Sequence, residues 1–311
     1  MSNKNTSESS SGRKPGKRNI FITSIIAVAI IVAGYLSVAS LTDPIDIVDP
    51  PASFVLADGE AEVHFLDVSQ GASVLIQTTQ GSVLIDGGDN NMGSRVVEYL
   101  QDAGVSEITY MVATHPHSDH IGGLISVLGE FPVGTLIMSH VAHDSMTFGR
   151  FLEAIDINDV PLREPIVGSS FQVGEAVFTI IGPNSETYPN MNNHSVSLRM
   201  VLGNVSFIFT GDAERRAELE MIQHSISSDV LYVGHHGSNT STVQEFLDAV
   251  SPSIAVISVG RNNFGHPSEE VLDRLYEAGV RVYRTDYHGN IVIVTDGTGL
   301  SIRSQFDDVY N

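Results

Sequence analysis

A cluster of side chains able to bind metal stands near the middle of the chain. Three histidines and one aspartate lie within six positions, at His115, His117, Asp119 and His120. They follow an apolar segment, residues 108–113, that predicts a buried strand. His115 and His117 alternate, so both side chains can lie on the same side of an extended segment. Imidazole and carboxylate groups bind zinc when no thiolate is available, and a site that stays open to water is the catalytic kind. The spacing therefore predicts a catalytic metal site.

Other short motifs accompany this cluster in a definite order. Two precede it, at residues 65–71 and 83–88, and three follow it, at residues 209–214, 233–238 and 264–267. Together they resemble the metallo-β-lactamase superfamily, and residues 61–304 look like a stand-alone version of the hydrolase domain of ComEC-type DNA-uptake proteins. Two positions depart from that pattern and put the first turn in doubt. Ser69 stands where the family usually has glycine, and Ala72 where it usually has an acidic residue.

The resemblance implies a site for two divalent metal ions with seven ligands. These are His115, His117 and His194 for a first ion, Asp119, His120 and His235 for a second, and Asp212 between them. A bridging carboxylate suits two cations about 3.5–4 Å apart. The donors favour zinc, and manganese could occupy the same site.

Several of these positions leave alternatives open. His194 could be a hydrogen-bonded loop histidine, and Asp212 could also cap the helix that follows it. His235 and His236 are adjacent, so in an extended strand end only one of them would face the metals. We expect His235 to be that ligand.

A smaller set of residues is expected to act on the substrate or to support the ligands. The candidate catalytic residues are Asp119, His236 and His266. His266 stands between Gly265 and Pro267, where it could donate a proton to a leaving group, contact a substrate oxyanion or serve a structural role. Asp86 is expected to hydrogen-bond a ligating histidine and so to fix the orientation of its ring.

Alternating strands and helices must position these side chains. The apolar pattern predicts strands first and then strands interleaved with helices, in two similar halves, with each candidate ligand near a strand end. This order predicts an α/β fold of two sheets packed face to face with helices outside. The resemblance implies the same four-layer αββα sandwich, with the hydrolase domain at residues 61–306. A hairpin with a type I′ turn is expected at Gly203-Asn204.

The N-terminal segment predicts a membrane anchor. We expect residues 1–18 to form a basic, disordered, cytoplasmic tail and the uncharged residues 19–41 to form a transmembrane helix, of which residues 20–41 would span about 33 Å. Residues 42–60 read as a linker. The basic residues before the helix place the domain outside the cell membrane. A cleaved signal sequence, which would release a secreted protein, is the alternative.

The charge distribution predicts an origin in an extreme halophile. The formal net charge is −21, and all three lysines lie in the tail. The tail holds five basic residues and one acidic residue, so the rest carries about −25. In molar salt the repulsion between like charges on such a surface reaches only about 3 Å, because dissolved ions screen it. An acidic extracellular protein is the alternative. The absence of cysteine excludes disulfides and a lipoprotein anchor.

These observations favour a metal-dependent hydrolase, in which a hydroxide bridging two metals attacks phosphorus or carbonyl carbon. A phosphodiesterase with nuclease-like activity outside the membrane is the leading hypothesis, although the acidic domain would repel a nucleic acid backbone. Hydrolysis of a lactone, ester or β-lactam by the same site is the second hypothesis. A non-catalytic, metal-bound surface module is the third. His235 follows Asp212 by only 23 positions, which leaves no room for the inserted domain of a β-CASP nuclease.

Overall fold

Two β-sheets form the centre of the protein, whose computed structural model describes residues 56–306. Within that range fifteen strands form one sheet of eight strands and one of seven. The strands are β1 Ala61–Phe65, β2 Val74–Thr78, β3 Gly81–Ile85, β4 Ile108–Ala113, β5 Val133–Met138, β6 Leu162–Arg163, β7 Ser170–Val173, β8 Ala176–Gly182, β9 Ser197–Leu202, β10 Val205–Phe209, β11 Val230–Tyr232, β12 Ile254–Ile257, β13 Arg281–Arg284, β14 Ile291–Thr295 and β15 Leu300–Ser304.

Helices connect the strands of each half. They are α1 Gly93–Asp102, α2 Ser118–Ile121, α3 Leu124–Glu130, α4 Met146–Ile157, α5 Arg215–Met221, α6 Gln244–Val250, α7 Glu269–Glu277 and α8 Thr285–His288. Short 3-10 turns lie at Asn90–Met92, Met191–His194 and Gly234–Gly237. Ser145 and Ser268 cap α4 and α7, because each hydroxyl accepts a backbone N–H three residues further on.

Both sheets combine antiparallel and parallel strands. The first has the order β15-β14-β1-β2-β3-β4-β5-β6, with parallel pairing from β3 to β6. The second has the order β13-β12-β11-β10-β9-β8-β7, with parallel pairing from β10 to β13. Parallel neighbours end at the same edge of a sheet, so the loops after β3 and β4 lie together, as do those after β10, β11 and β12.

Alternating side chains divide the apolar core into three clusters. Phe207 and Phe209 of β10 belong to a cluster filled from both sheets, whereas Ile208 between them packs against α5, α6 and α7. On β2, Val74 lies in the same inner cluster, and Leu75 packs against helices of the first half. Because neighbouring strand residues point to opposite faces, the sheets pack on each other and helices cover both outer faces. The predicted α/β fold is confirmed in this respect.

The predictions for the N-terminus fall largely beyond the described range. The tail, the membrane segment and residues 42–55 of the linker all lie outside the described residues. Among residues 56–306, no helix has both the length and the apolar character needed to cross a membrane.

Candidate metal centre

The candidate ligands gather where strands of both sheets end. His115, His117, Asp119 and His120 follow β4 of the first sheet, as the spacing predicted. Asp212 follows β10 of the second sheet, and two histidines follow β11. The site therefore lies where the two sheets meet, and neither sheet alone supplies all of its ligands.

Two compact sets of ligand atoms share His120: one is His115, His120 and Asp212, and the other is Asp119, His120 and His236, called here the Asp119 group. Its ligand atoms lie within 4.8 Å of one another. His236 Nε2 is 3.4 Å from an oxygen of Asp119, and His120 Nε2 is 3.2 Å from Asp212 Oδ1. Both Nε2 atoms are buried without a hydrogen-bond partner. Two unpaired imidazole nitrogens beside buried carboxylates are the arrangement that a cation would satisfy.

His115 and His117, called here the His117 group, form a pair beside the other carboxylate oxygen of Asp212. His115 Nε2 lies 3.8 Å from Asp212 Oδ2 and 3.0 Å from His117 Nδ1. Two nitrogens bound to one tetrahedral zinc at about 2.0–2.1 Å lie about 3.3 Å apart. His115 and His117 are thus spaced to share an ion, and Asp212 reaches both groups.

His194 departs from the predicted arrangement, because it joins neither of the compact ligand sets found among the described residues. Its Nε2 accepts the backbone N–H of Tyr188 at 3.1 Å, and its Nδ1 is buried without a partner. Its ring lies 6.2 Å from that of His140. The alternative of a hydrogen-bonded loop histidine describes its observed contacts.

Carboxylate and carbonyl groups fix the rings of the Asp119 group from behind. Asp86 accepts His120 Nδ1 at 2.7 Å, and also the backbone N–H and hydroxyl of Thr114. The Ser258 carbonyl accepts His236 Nδ1 at 2.8 Å. With a proton held on each Nδ1, Nε2 is the ring nitrogen left to face the centre, where a cation would take the place of the Nε2 proton. The predicted hydrogen bond from Asp86 to a candidate ligand is confirmed.

Close backbone packing brings Asp86 and His120 together. The Gly87 N–H donates to the His120 carbonyl at 2.7 Å. A Cβ on Gly123 would stand 1.8 Å from the Gly87 carbonyl oxygen. The glycine pair after the histidine cluster is therefore needed for contact between this turn and the loop after β3.

The backbone around His235 and His236 corrects a premise of the sequence analysis. An extended conformation was expected, and this is wrong: both residues are left-handed, with φ of 49° and 54°. This conformation costs about 1–2 kcal/mol for each residue other than glycine. The turn buries the side chain of His236, which is 4% exposed, and leaves that of His235 21% exposed.

His235 therefore lies at the rim of the centre. Its Nε2 is 3.7 Å from Asp212 Oδ2, and its Nδ1 is 3.5 Å from Glu214 Oε1. Asn192 Nδ2 lies 3.4 Å from the same ring. The structure thus brings His236, which was expected to act on the substrate, into the Asp119 group, and places the expected ligand His235 beside it.

Burial and charge divide the histidines into two kinds. Burial and the neighbouring His120 lower the pKa of His115 well below its usual value, and the pKa of His117 falls for the same reasons. Burial also disfavours the charged form of His120, but the nearby carboxylates, Asp212 first, raise its pKa well above 6.5. The pKa of His236 is raised in the same way.

His266 stands next to the two adjacent histidines. Its ring centre is 5.3 Å from that of His235 and 6.4 Å from that of His236. Burial and these two imidazoles lower the pKa of His266 to about 4. At neutral pH His266 is therefore a neutral imidazole, which can donate a hydrogen bond but carries no extra proton to give to a leaving group. Its Nδ1 is buried without a partner.

The donor set fits a divalent cation. It contains buried imidazole nitrogens that lack partners, a carboxylate between the two groups, and no thiolate. Nitrogen and oxygen donors of this kind suit zinc and also manganese.

Three supporting residues were missed by the sequence analysis: Thr114, Ser195 and Ser258. The Ser195 hydroxyl accepts the Asp212 N–H at 3.1 Å and lies 3.3 Å from His115 Nδ1. Thr114 and Ser195 are each adjacent in sequence to a candidate ligand, which was an available signal. Ser258 follows β12 directly, and only its place at the shared strand edge could have suggested its role.

Comparison with known proteins identifies a family. The profile described as the metallo-beta-lactamase superfamily matches residues 66–261. ComE operon protein 3 of Bacillus subtilis is 32% identical over 253 residues, which cover 75% of this chain and 33% of that protein. Competence protein ComA of Neisseria gonorrhoeae is 32% identical over 237 residues, covering 75% of this chain and 32% of that protein. The chain thus spans about a third of the length of these relatives.

Solved structures show the same fold at low sequence identity. The metallo-beta-lactamase fold protein YhfI of Bacillus subtilis has a TM-score of 0.51 and 14% identity, covering 76% of this chain and 100% of that chain. CmlA, a diiron beta-hydroxylase from Streptomyces venezuelae, has a TM-score of 0.50 and 13% identity, covering 78% and 54%.

Proposed function

Because the chain belongs to the metallo-beta-lactamase superfamily and is a hydrolase of that fold, we propose that it cleaves phosphodiester bonds in nucleic acid with the help of two divalent metal ions. The observation that carries this proposal is the buried centre itself. Its imidazole Nε2 atoms lack hydrogen-bond partners and face the carboxylates of Asp119 and Asp212. Nothing else in the described residues gathers so many metal-binding groups at one strand edge.

We assign the ligands by their observed positions. Asp119, His120 and His236 would hold one ion, His115 and His117 would hold the other, and Asp212 lies within reach of both groups. This assignment replaces the expected ligand His235 with His236, whose Nε2 lies closer to Asp119 and is buried. His194 is left out of this assignment, because its Nε2 accepts the N–H of Tyr188 and its ring would have to turn away from that bond to reach an ion.

The bound ions would supply acidified water and charge stabilisation for a displacement at phosphorus. The residues of the chain prepare the site for that chemistry. Asp86 and the Ser258 carbonyl hold the imidazoles of His120 and His236 in one tautomer and orientation. His266, neutral at neutral pH, is placed to donate an N–H to a substrate oxygen near His235.

The choice of phosphodiester rests on the relatives. Competence protein ComA and ComE operon protein 3 are each 32% identical over 75% of this chain, and the sequence resembles the hydrolase domain of DNA-uptake proteins. Nucleic acid is therefore the favoured substrate class. Acyl hydrolysis of a lactone, ester or β-lactam needs the same metal pair and becomes the outcome if phosphodiesters are not cleaved.

The test uses the full chain with zinc or manganese in molar salt. We expect hydrolysis of bis-p-nitrophenyl phosphate, and loss of that hydrolysis in the Asp119→Ala/His120→Ala variant. A β-lactam and a lactone are assayed in parallel. Turnover of only these two would move the function to acyl hydrolysis. Two bound metals with no turnover of any substrate would favour the non-catalytic surface module.

Location and environment are part of the proposal. We propose that residues 19–41 anchor the protein and leave the hydrolase domain, residues 61–306, outside the cell membrane. Protease added to intact cells should then remove the domain.

The acidic, lysine-free domain supports a working environment of high salt. Thermal unfolding measured from 0.1 to 3 M KCl should show a rising midpoint, and a flat profile would count against a halophilic origin.

A further inference from the structure

The loop between β12 and α7 carries an exposed aromatic ring beside the metal centre. Phe264 is 74% exposed, and its ring centre lies 5.6 Å from that of His266 at an angle of 30°. His266 in turn contacts the ring of His236 in the Asp119 group. A series of ring contacts therefore leads from solvent to the candidate ligands.

A single exposed apolar side chain is ordinary on a protein surface and indicates nothing alone. Phe264 differs from an ordinary exposed apolar residue because hydrogen bonds fix the loop that carries it. The side chain of Asn262 accepts the N–H of Phe264 at 3.0 Å and that of His266 at 3.1 Å. It also donates to the carbonyls of Gly260 and His266. One amide thus uses two donors and its acceptor oxygen to hold the loop in shape.

The base of this loop is fixed to the other half of the molecule. The Ser258 hydroxyl donates to the Gly71 carbonyl at 2.9 Å. A Cβ on Gly260 would stand 2.4 Å from the Ser69 carbonyl carbon, so the two loops touch through their backbones. The backbone that carries Phe264 is therefore fixed by hydrogen bonds and backbone packing, which lowers the entropy that the loop loses when a ligand stacks on the ring.

The same loop presents a positive charge. Arg261 is exposed and forms no ion pair with any of residues 56–306. Most of the arginines in the second half of the chain are paired with carboxylates, for example Arg215 with Glu245 and Arg274 with Glu270. Arg261 lies three residues before Phe264 on the same loop, and a cationic side chain together with an exposed aromatic ring is the combination that binds single-stranded nucleic acid, through phosphate contact and base stacking.

We propose that Phe264 and Arg261 form a nucleotide-binding subsite at the rim of the metal centre, where the ring stacks on an unpaired base and the guanidinium contacts a flanking phosphate. This inference rests on the proposed function and names its substrate class as single-stranded nucleic acid. Double-stranded DNA does not offer a free base face to the ring, so the subsite should discriminate against it.

The test measures binding separately from cleavage. Fluorescence anisotropy of the full chain, loaded with zinc, is recorded with a labelled single-stranded oligonucleotide and with an abasic strand of equal length. We expect Phe264→Leu to weaken binding of the base-bearing strand by about 5- to 150-fold and to leave the abasic strand nearly unchanged. Phe264→Trp should retain binding. Tyr276→Leu, at an aromatic residue that is 83% exposed on α7, is the matched control.

The contribution of Arg261 appears in the salt dependence. Removing one phosphate contact lowers the slope of log affinity against log salt by about 0.7 for single strands. Arg261→Gln should show this change with both strands, because a phosphate contact does not depend on the base.

The outcomes separate the two proposals. Equal binding of the base-bearing strand by the parent protein and Phe264→Leu would overturn the subsite, and so would equal competition by a duplex. Absence of bis-p-nitrophenyl phosphate hydrolysis, together with the predicted binding differences, would overturn the proposed function and leave the subsite standing.

Discussion

The two sides of the candidate metal centre differ in how far the fold arranges them before any ion binds. In the Asp119 group, each ring has its Nδ1 fixed from behind and its Nε2 unpaired. In the His117 group, only His115 has its Nδ1 supported, by the hydroxyls of Thr114 and Ser195 at 3.1 and 3.3 Å, whereas the Nδ1 of His117 lies 3.0 Å from His115 Nε2. Asp212 is the group that the two sides share.

This difference teaches that supporting contacts, more than the number of histidines, determine the readiness of a site. A ring that is already fixed loses less conformational entropy when the metal binds, so the free energy of binding is more favourable. We therefore expect the Asp119 group to bind its ion more tightly than the His117 group.

The largest effect should come from removing the shared carboxylate. Loss of a residue behind a ligand costs about 10- to 100-fold in affinity or activity, so loss of a group between both sides should exceed about 100-fold. Asp212→Asn is expected to lose both ions and hydrolysis. Metal analysis after dialysis, beside initial rates, checks this. Asp248→Asn, at an exposed carboxylate on α6, should behave like the parent.

Removing the support behind one side should make the two sides more alike. Asp86→Asn leaves the ligands in place but disturbs the hydrogen bond to His120 Nδ1. We expect zinc affinity at the Asp119 group to fall about 10- to 100-fold. Competition with a chromogenic chelator measures it. Unchanged affinity would mean that this hydrogen bond does not prepare the site.

The pH dependence of metal binding should also differ between the sides. The raised pKa values of His120 and His236 mean that both hold protons at pH 6.5 in the metal-free protein, and zinc must displace them. Affinity there should therefore fall as pH decreases, by about tenfold per pH unit for each displaced proton. The lowered pKa values of His115 and His117 predict little change until pH drops well below 6.5.

Calorimetry in two buffers of different ionisation enthalpy counts the released protons. The His117→Ala variant isolates the Asp119 group, and Asp119→Ala isolates the other side. Equal proton release by both variants would remove the distinction between them.

The smallest effect is expected at His194. Because its Nε2 accepts the Tyr188 N–H, His194→Ala should reduce zinc affinity and initial rate by less than about tenfold, whereas His120→Ala should lower both at least as strongly as Asp86→Asn. A loss of one ion equal to that in His120→Ala would show that the ring turns inward on binding.

Much of the fold followed from short-range pattern. The segment 108–113, predicted as a buried strand, forms β4. The strands β9 and β10 form the predicted hairpin, but the prediction of a type I′ turn between them is wrong. Only Gly203 of the central pair has a positive φ, and the Asn204 N–H donates to the Gly297 carbonyl. A contact distant in sequence decided the turn.

The site was harder to predict where the backbone leaves regular structure. Regular alternation was enough to place His115 and His117 together. Histidine is among the residues that enter the left-handed region more often than most, but two consecutive left-handed residues other than glycine are uncommon, and their conformation at His235 and His236 depends on packing between loops. The contact of His194 with Tyr188 likewise depends on how the segment before β9 folds back. The strands β6 and β7 were missed because they are short and lie at sheet edges.

The origin of the ligands in both halves has a mechanical consequence. His120 comes from the first sheet, and Asp212 and His236 come from the second, so an ion bound among them would tie the sheets together as a crosslink does. The chain has no cysteine with which to make a covalent one. An ion present at 100 times its dissociation constant adds about 2.7 kcal/mol to the free energy of unfolding. A chelator would therefore act on this protein as a mild denaturant as well as an inhibitor.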